Sequence, residues 1–80
     1  VRFPFVSKRT EAVTVRLWGR APAGGRLRVE VRRRGGHWRR LAAFGVRAGE
    51  IFDRRAELRG PALLRARVGG VRSLTWRQRR

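Results

Sequence analysis

Three tryptophans, Trp18, Trp38 and Trp76, each stand one or two positions from an arginine. An exposed indole offers a flat apolar face on which the C–H side of a sugar ring or an unpaired base can stack. A neighbouring guanidinium adds hydrogen bonds to hydroxyls or phosphates. Trp18, Trp76 and Trp38, supported by Arg16 and Arg77, are therefore the candidate carbohydrate-binding set. An indole covered by its own arginine needs no ligand, so the same pairs also fit a purely structural role. Trp38, close behind a Gly-Gly turn, is expected to pack over the core.

A second set is cationic: Arg26, Arg28, Arg32, Arg34, Arg39 and Arg40. Basic faces release counterions from anionic polymers, which makes nucleic acid or another polyanion the alternative partner. The net charge of +17 on 80 residues invites that reading. One detail weakens it. Lys8 is the only lysine among 22 basic residues, and the chain has no Asn, Tyr, Met or Cys. Gly, Ala and Arg are abundant, as in proteins from very GC-rich genomes, so part of the charge is compositional. The reading of function therefore rests on the indoles before the arginines.

Little else in the chain could do chemistry. The lone histidine, His37, has no carboxylate or serine beside it, and reads as an exposed turn residue. The acids are Glu11, Glu30, Glu50, Asp53 and Glu57. Glu50 and Asp53 are close in sequence, but arginines at hand favour ion pairing over acid–base work. No spacing suits a metal site, and without cysteine there is no disulfide or thiolate ligand. The chain reads as non-catalytic, with no cofactor. No apolar run approaches the ~20 residues of a membrane span, so insertion into a membrane is not expected.

The elements that must carry these residues are strands. Residues 26–34 alternate apolar and charged, with Leu27, Val29 and Val31 facing inward, which is the period of a half-buried strand. Gly35-Gly36 then supplies the positive φ of a two-residue hairpin turn, and residues 37–46 form the returning arm. Before this hairpin, residues 2–6 read as a first strand, 7–10 as a turn, 12–19 as a strand with Val13, Val15 and Leu17 inward, and 20–25 as a loop. After it, residues 48–50 turn, 51–58 form a strand with Phe52, Ala56 and Leu58 inward, and 59–61 turn again. Residues 62–68 alternate Leu64, Ala66 and Val68 against Leu63, Arg65 and Arg67. Gly69-Gly70 makes a tight turn, 71–76 is the last strand, and 78–80 a frayed tail.

About seven short strands at this spacing predict an all-β, antiparallel two-sheet sandwich of immunoglobulin or fibronectin type III kind, with an OB-type barrel as the alternative. The chain is expected to be a single module over 1–80, excised from a larger protein. Arginines 26, 28, 32 and 34 share one strand face, interrupted only by Glu30. Like charges side by side repel, so relief is expected from Glu57 or Glu11 on a neighbouring strand, from stacking on indoles, or from an anionic partner.

A family resemblance runs through the same residues. It is carried by Phe3-Pro4-Phe5-Val6, by Val15-Arg16-Leu17-Trp18-Gly19-Arg20-Ala21-Pro22, by the stretch from Val29 through Gly35-Gly36-His37-Trp38 to Leu41, and by the stretch from Leu64 through Gly69-Gly70 to Trp76. Together these resemble the C-terminal immunoglobulin-like accessory modules of secreted glycoside hydrolases from high-GC actinobacteria. The resemblance implies a non-catalytic sandwich appended to an extracellular carbohydrate-active enzyme. Its partners would be a polysaccharide or cell-wall glycan and its own catalytic domain in cis. The alternative is a structural spacer that packs on that catalytic domain.

Overall fold

The computed structural model describes residues 4–73 and 75–78. Among these described residues alternation becomes eight strands: β1 Phe5–Glu11, β2 Thr14–Arg20, β3 Gly25–Arg32, β4 Arg39–Val46, β5 Ile51–Glu57, β6 Ala62–Val68, β7 Val71–Arg72 and β8 Trp76–Gln78. They form two antiparallel sheets. The small sheet has the order β1-β2-β5, and the large one β4-β3-β6-β7, with β8 also on β6. The chain changes sheet after β2, after β4 and after β5, so the two layers share one core. This is the expected immunoglobulin-like sandwich.

Strands β7 and β8 both pair with β6, Arg72 opposite Arg67 and Trp76 opposite Leu64, with the register shifted by one residue between them. Ser73 extends the pairing beyond β7. Its N–H donates to the Ala66 carbonyl at 2.9 Å, and its Oγ accepts the Ala66 N–H at 2.9 Å. The Gly69-Gly70 turn that joins β6 to β7 has φ of 55° and 81°, the positive pair that a two-residue hairpin turn demands.

Inward positions fill the core. Val15, Leu17, Leu27, Val29, Leu64 and Ala66 are fully buried, and Phe52, Val68 and Leu58 nearly so. Each large side chain removed from water in this way is worth about 1.5–3 kcal/mol. Gly19 lies between Phe5 on β1 and Phe52 on β5 in the strand register. The two phenyl rings stack across it, 6.3 Å between centroids. A Cβ on Gly19 would stand 2.1 Å from the Pro4 carbonyl oxygen and 2.9 Å from the Phe52 ring, so only glycine fits.

The two long sides of the sandwich are closed by polar groups. On one, Ser7 of β1 donates to the Gln78 amide oxygen of β8, both residues being buried. On the other, the Arg54 guanidinium covers the Phe44 ring at 4.8 Å. Arg54 occupies an inward register position between Phe52 and Ala56, and a charge there blunts an exposed edge. Arg9, also inward, ties the β5–β6 corner to β1 by donating to the Leu58 and Gly60 carbonyls.

Several boundaries differ from the sequence reading, each for a physical reason. Residues 7–10 are strand, and the first hairpin turns at Ala12-Val13. The inward positions of β1 after Phe5 are the polar Ser7 and Arg9, so its apolar alternation is broken. Gly35-Gly36 is not a two-residue turn. Residues 33–38 form a longer loop, in which Gly36 N–H closes on the Arg33 carbonyl at 2.9 Å and only Gly35 has a positive φ. A bulge between Val29 and Glu30 in the β3–β4 register accompanies it. Gln78 is buried in β8, not frayed. Of the other sequence expectations, those on residues 2, 3, 74, 79 and 80 lie outside the described residues.

Candidate anion-binding face

The outer face of the large sheet is built by alternation from β3 and β6. On β3 the outward residues are Arg26, Arg28, Glu30 and Arg32, and on β6 they are Leu63, Arg65 and Arg67. The register then sorts them into rows that cross the strands. One row is Arg28–Arg67–Arg72, from β3 through β6 to β7. The next is Arg40–Glu30–Arg65, and the last is Arg32–Leu63–Arg77. Neighbouring strands lie roughly 4.8 Å apart, so Arg28, Arg67 and Arg72 stand side by side, while Glu30 and Leu63 separate the arginines of the other two rows.

Glu30 is the only carboxylate in these rows. Its Oε1 accepts from Arg65 Nε at 2.7 Å, and its Oε2 lies 3.9 Å from Arg67 Nη1. Both Glu30 and Arg65 are mostly buried, and Trp38 covers Arg65, whose guanidinium carbon is 4.0 Å from the indole centroid. Trp38 therefore packs on the outer face and not over the core. Relief of the arginine repulsion comes from Glu30 on the same strand and from Trp38. Glu57 and Glu11, the acids expected to supply it, belong to the small sheet. The small sheet's outer face is mixed in sign. Lys8, Arg16 and Arg55 form a row there, but Asp53 and Glu57 alternate with Arg55 along β5.

Where the last arginine row meets the β3–β4 loop, the surface forms an open groove of about 910 Å³. Arg32, Arg33, Arg34 and Arg77 line it together with Pro61 and Leu63, and among the described residues no acidic one does. Two of the guanidiniums are tethered by the backbone. Arg32 Nε donates to the Gly36 carbonyl at 3.1 Å, and Arg33 Nη1 to the Arg59 carbonyl at 2.6 Å.

The residues picked out from the sequence are thus dispersed and regrouped. Trp18 points outward from the small sheet, between Val6 and Asp53 in register. Arg16 stacks on it at 5.2 Å, while Arg16 Nε and Nη2 grip the Asp53 carboxylate at 2.9 and 2.5 Å. That grip holds the Asp53 carboxyl below its ordinary value of 3.8 and raises Arg16, the side-chain hydrogen bond being the larger cause in both. Trp76 is 38 % exposed on the edge strand, in register with the buried Leu64. Trp18, Trp38 and Trp76 therefore sit on different surfaces and do not make one platform. Of the cationic set, Arg26, Arg28, Arg32 and Arg40 share the outer face. Arg39 pairs with Val31 on the inward register, and Arg34 lies in the loop. Arg77, named as a sugar ligand, joins Arg32 and Arg34 at the groove.

Sequence reasoning overlooked Arg33, Arg65, Arg67 and Arg72. The alternation in 62–68 already turned Arg65 and Arg67 outward; what was lacking was the knowledge that β6 lies beside β3. Glu50, expected to form an ion pair, instead accepts the Arg47 N–H at 2.8 Å within its own turn. His37 is exposed in the β3–β4 loop. In comparisons with protein-family models, curated proteins and solved structures, nothing matches this chain.

Proposed function

We propose that this domain is a non-catalytic binding module that holds an anionic polysaccharide on the arginine face of its large sheet. The row Arg28–Arg67–Arg72 carries the reading. Three arginines on adjacent strands repel one another, and among the described residues only Glu30, 3.9 Å from Arg67, offsets them. The small sheet also carries a cationic row, Lys8–Arg16–Arg55, but there Asp53 grips Arg16, and Asp53 and Glu57 flank Arg55 along the strand. An anionic polymer laid across the strands would neutralise such a row.

The chemistry of the face favours a polymer that presents charge without bases. Binding of single-stranded nucleic acid relies on aromatic platforms beside the cations. The indole on this face, Trp38, is half-buried and already covers Arg65. Neutral glycans also need a platform, and the three indoles lie apart. The context implied by the resemblance, a module beside a catalytic domain in a secreted protein, is retained as part of the proposal.

Chromatography on immobilised heparin and on cellulose tests the reading. The domain is expected to bind heparin and elute with salt, and to pass through cellulose unretarded. Salt-resistant retention on cellulose, lost in Trp18→Ala or Trp76→Ala, would overturn it in favour of the indoles.

A further inference from the structure

We infer that the groove lined by Arg32, Arg33, Arg34 and Arg77 is a distinct subsite for a phosphomonoester attached to an organic body. The inference rests on the anionic-ligand reading above and specifies what one end of that face takes.

Three observations lead to it. Among the described residues the groove gathers four guanidiniums and no acid, so a single monoanion would leave it strongly positive; a phosphomonoester carries close to two charges near neutral pH. Arginine's planar fork suits the tetrahedral oxygens of phosphate, which it can grip with two parallel bonds. Arg32 and Arg33 are each held by a backbone carbonyl through one nitrogen. A held guanidinium loses less freedom on binding than one swinging in water. The other donors of both groups remain for a ligand.

The groove offers more than a bare ion would use. It is open, with a volume of about 910 Å³, and its lining is partly apolar. Leu63 sits on the outer face between Arg32 and Arg77 in register, where every other row position of β6 is arginine. Together with Pro61 it gives an apolar surface for the carbon skeleton that bears the phosphate. A sugar phosphate matches both halves of the site. It can arrive as a free molecule or as the phosphorylated end of a glycan chain, and the chemistry is shared.

Amide NMR titration with glucose 6-phosphate, glucose 6-sulfate and inorganic phosphate tests the assignment. Glucose 6-phosphate is expected to shift the Gly35, Gly36 and Leu63 amides and to bind at least tenfold more tightly than the other two. The double variant Arg33→Gln/Arg77→Gln should lose that binding tenfold or more, with an unchanged melting temperature. Arg28→Gln/Arg72→Gln should keep it. A phosphate-terminated glycan, before and after phosphatase treatment, separates the sources. Affinity lost with the terminal phosphate places a chain end in the groove, and affinity retained assigns the groove to free sugar phosphates. Equal affinity for the sulfate, shifts spread evenly along β3 and β6, or undiminished binding by Arg33→Gln/Arg77→Gln would overturn the inference. Failure of the broader polysaccharide reading shows separately, as heparin binding indifferent to Arg28, Arg67 and Arg72.

Discussion

The Arg65 guanidinium lies against Trp38, its carbon 4.0 Å from the indole centroid, while its Nε donates to Glu30 at 2.7 Å. The indole stacks on the guanidinium and the carboxylate hydrogen-bonds it, on a face otherwise rich in arginine. A cation–π contact that is partly shielded from water contributes about 1–2 kcal/mol. Trp38→Leu should therefore cost about that much in urea unfolding and leave heparin affinity unchanged. A loss of affinity with intact stability would mean that the indole meets the ligand itself.

Gly19 has no room for a side chain, because its absent Cβ would meet the Pro4 carbonyl, a backbone atom, at 2.1 Å. Relief requires β1 to move away from β2 and the Phe5–Phe52 stack to open. Overpacking of this kind costs about 1–3 kcal/mol. Gly19→Ala is expected to lower the melting temperature by roughly 4–8 °C per kcal/mol lost, as for domains of this size. An unchanged melt would show that β1 is not seated as described.

Ser73→Ala leaves the buried Ala66 N–H without the oxygen it now bonds at 2.9 Å. An unsatisfied buried donor costs about 1–3 kcal/mol. Hydrogen exchange should report it locally, with the Ala66 amide losing protection while Val29 on the neighbouring strand keeps its own. Equal loss at both amides would indicate global destabilisation and not a local break in the edge.

The Arg16–Asp53 pair gives stability an acid limb. The Asp53 carboxyl is lowered below 3.8 in the folded chain, first by the Arg16 hydrogen bond. A depressed carboxyl contributes fully above its unfolded value and loses that contribution as pH falls through the folded one. The pair is half-exposed, so the effect is small. Asp53→Asn should flatten the fall in melting temperature below about pH 4 and change little at pH 7. An acid limb identical to wild type would remove Asp53 as its source.

What the sequence makes legible here follows from alternation. Strand β6, residues 62–68, and the β3 arm with Leu27, Val29 and Val31 inward are readable because every second residue is apolar and those between are charged, Leu63 excepted. Gly69-Gly70 is readable because two adjacent positive φ values require glycine. Strand β1 is hidden because Ser7 and Arg9 take inward positions and find partners on distant strands. Trp76 is exposed, as read, but its place opposite the buried Leu64 shows only in the strand pairing. The arginine row is hidden for a different reason. Arg28, Arg67 and Arg72 are far apart in sequence, and only strand pairing brings them into line.

The most direct test of the central claim compares two charge-matched variants for heparin affinity as a function of salt. One is Arg28→Gln/Arg67→Gln/Arg72→Gln on the large sheet, and the other Lys8→Gln/Arg20→Gln/Arg55→Gln on the small sheet. Each charge engaged by a polyanion contributes of the order of one to the slope of log affinity against log salt. The large-sheet variant is predicted to lose roughly two to three from that slope, and the small-sheet variant to keep the wild-type slope. Equal losses from both would contradict the account, because they would mean that heparin senses net charge and not the arginine face.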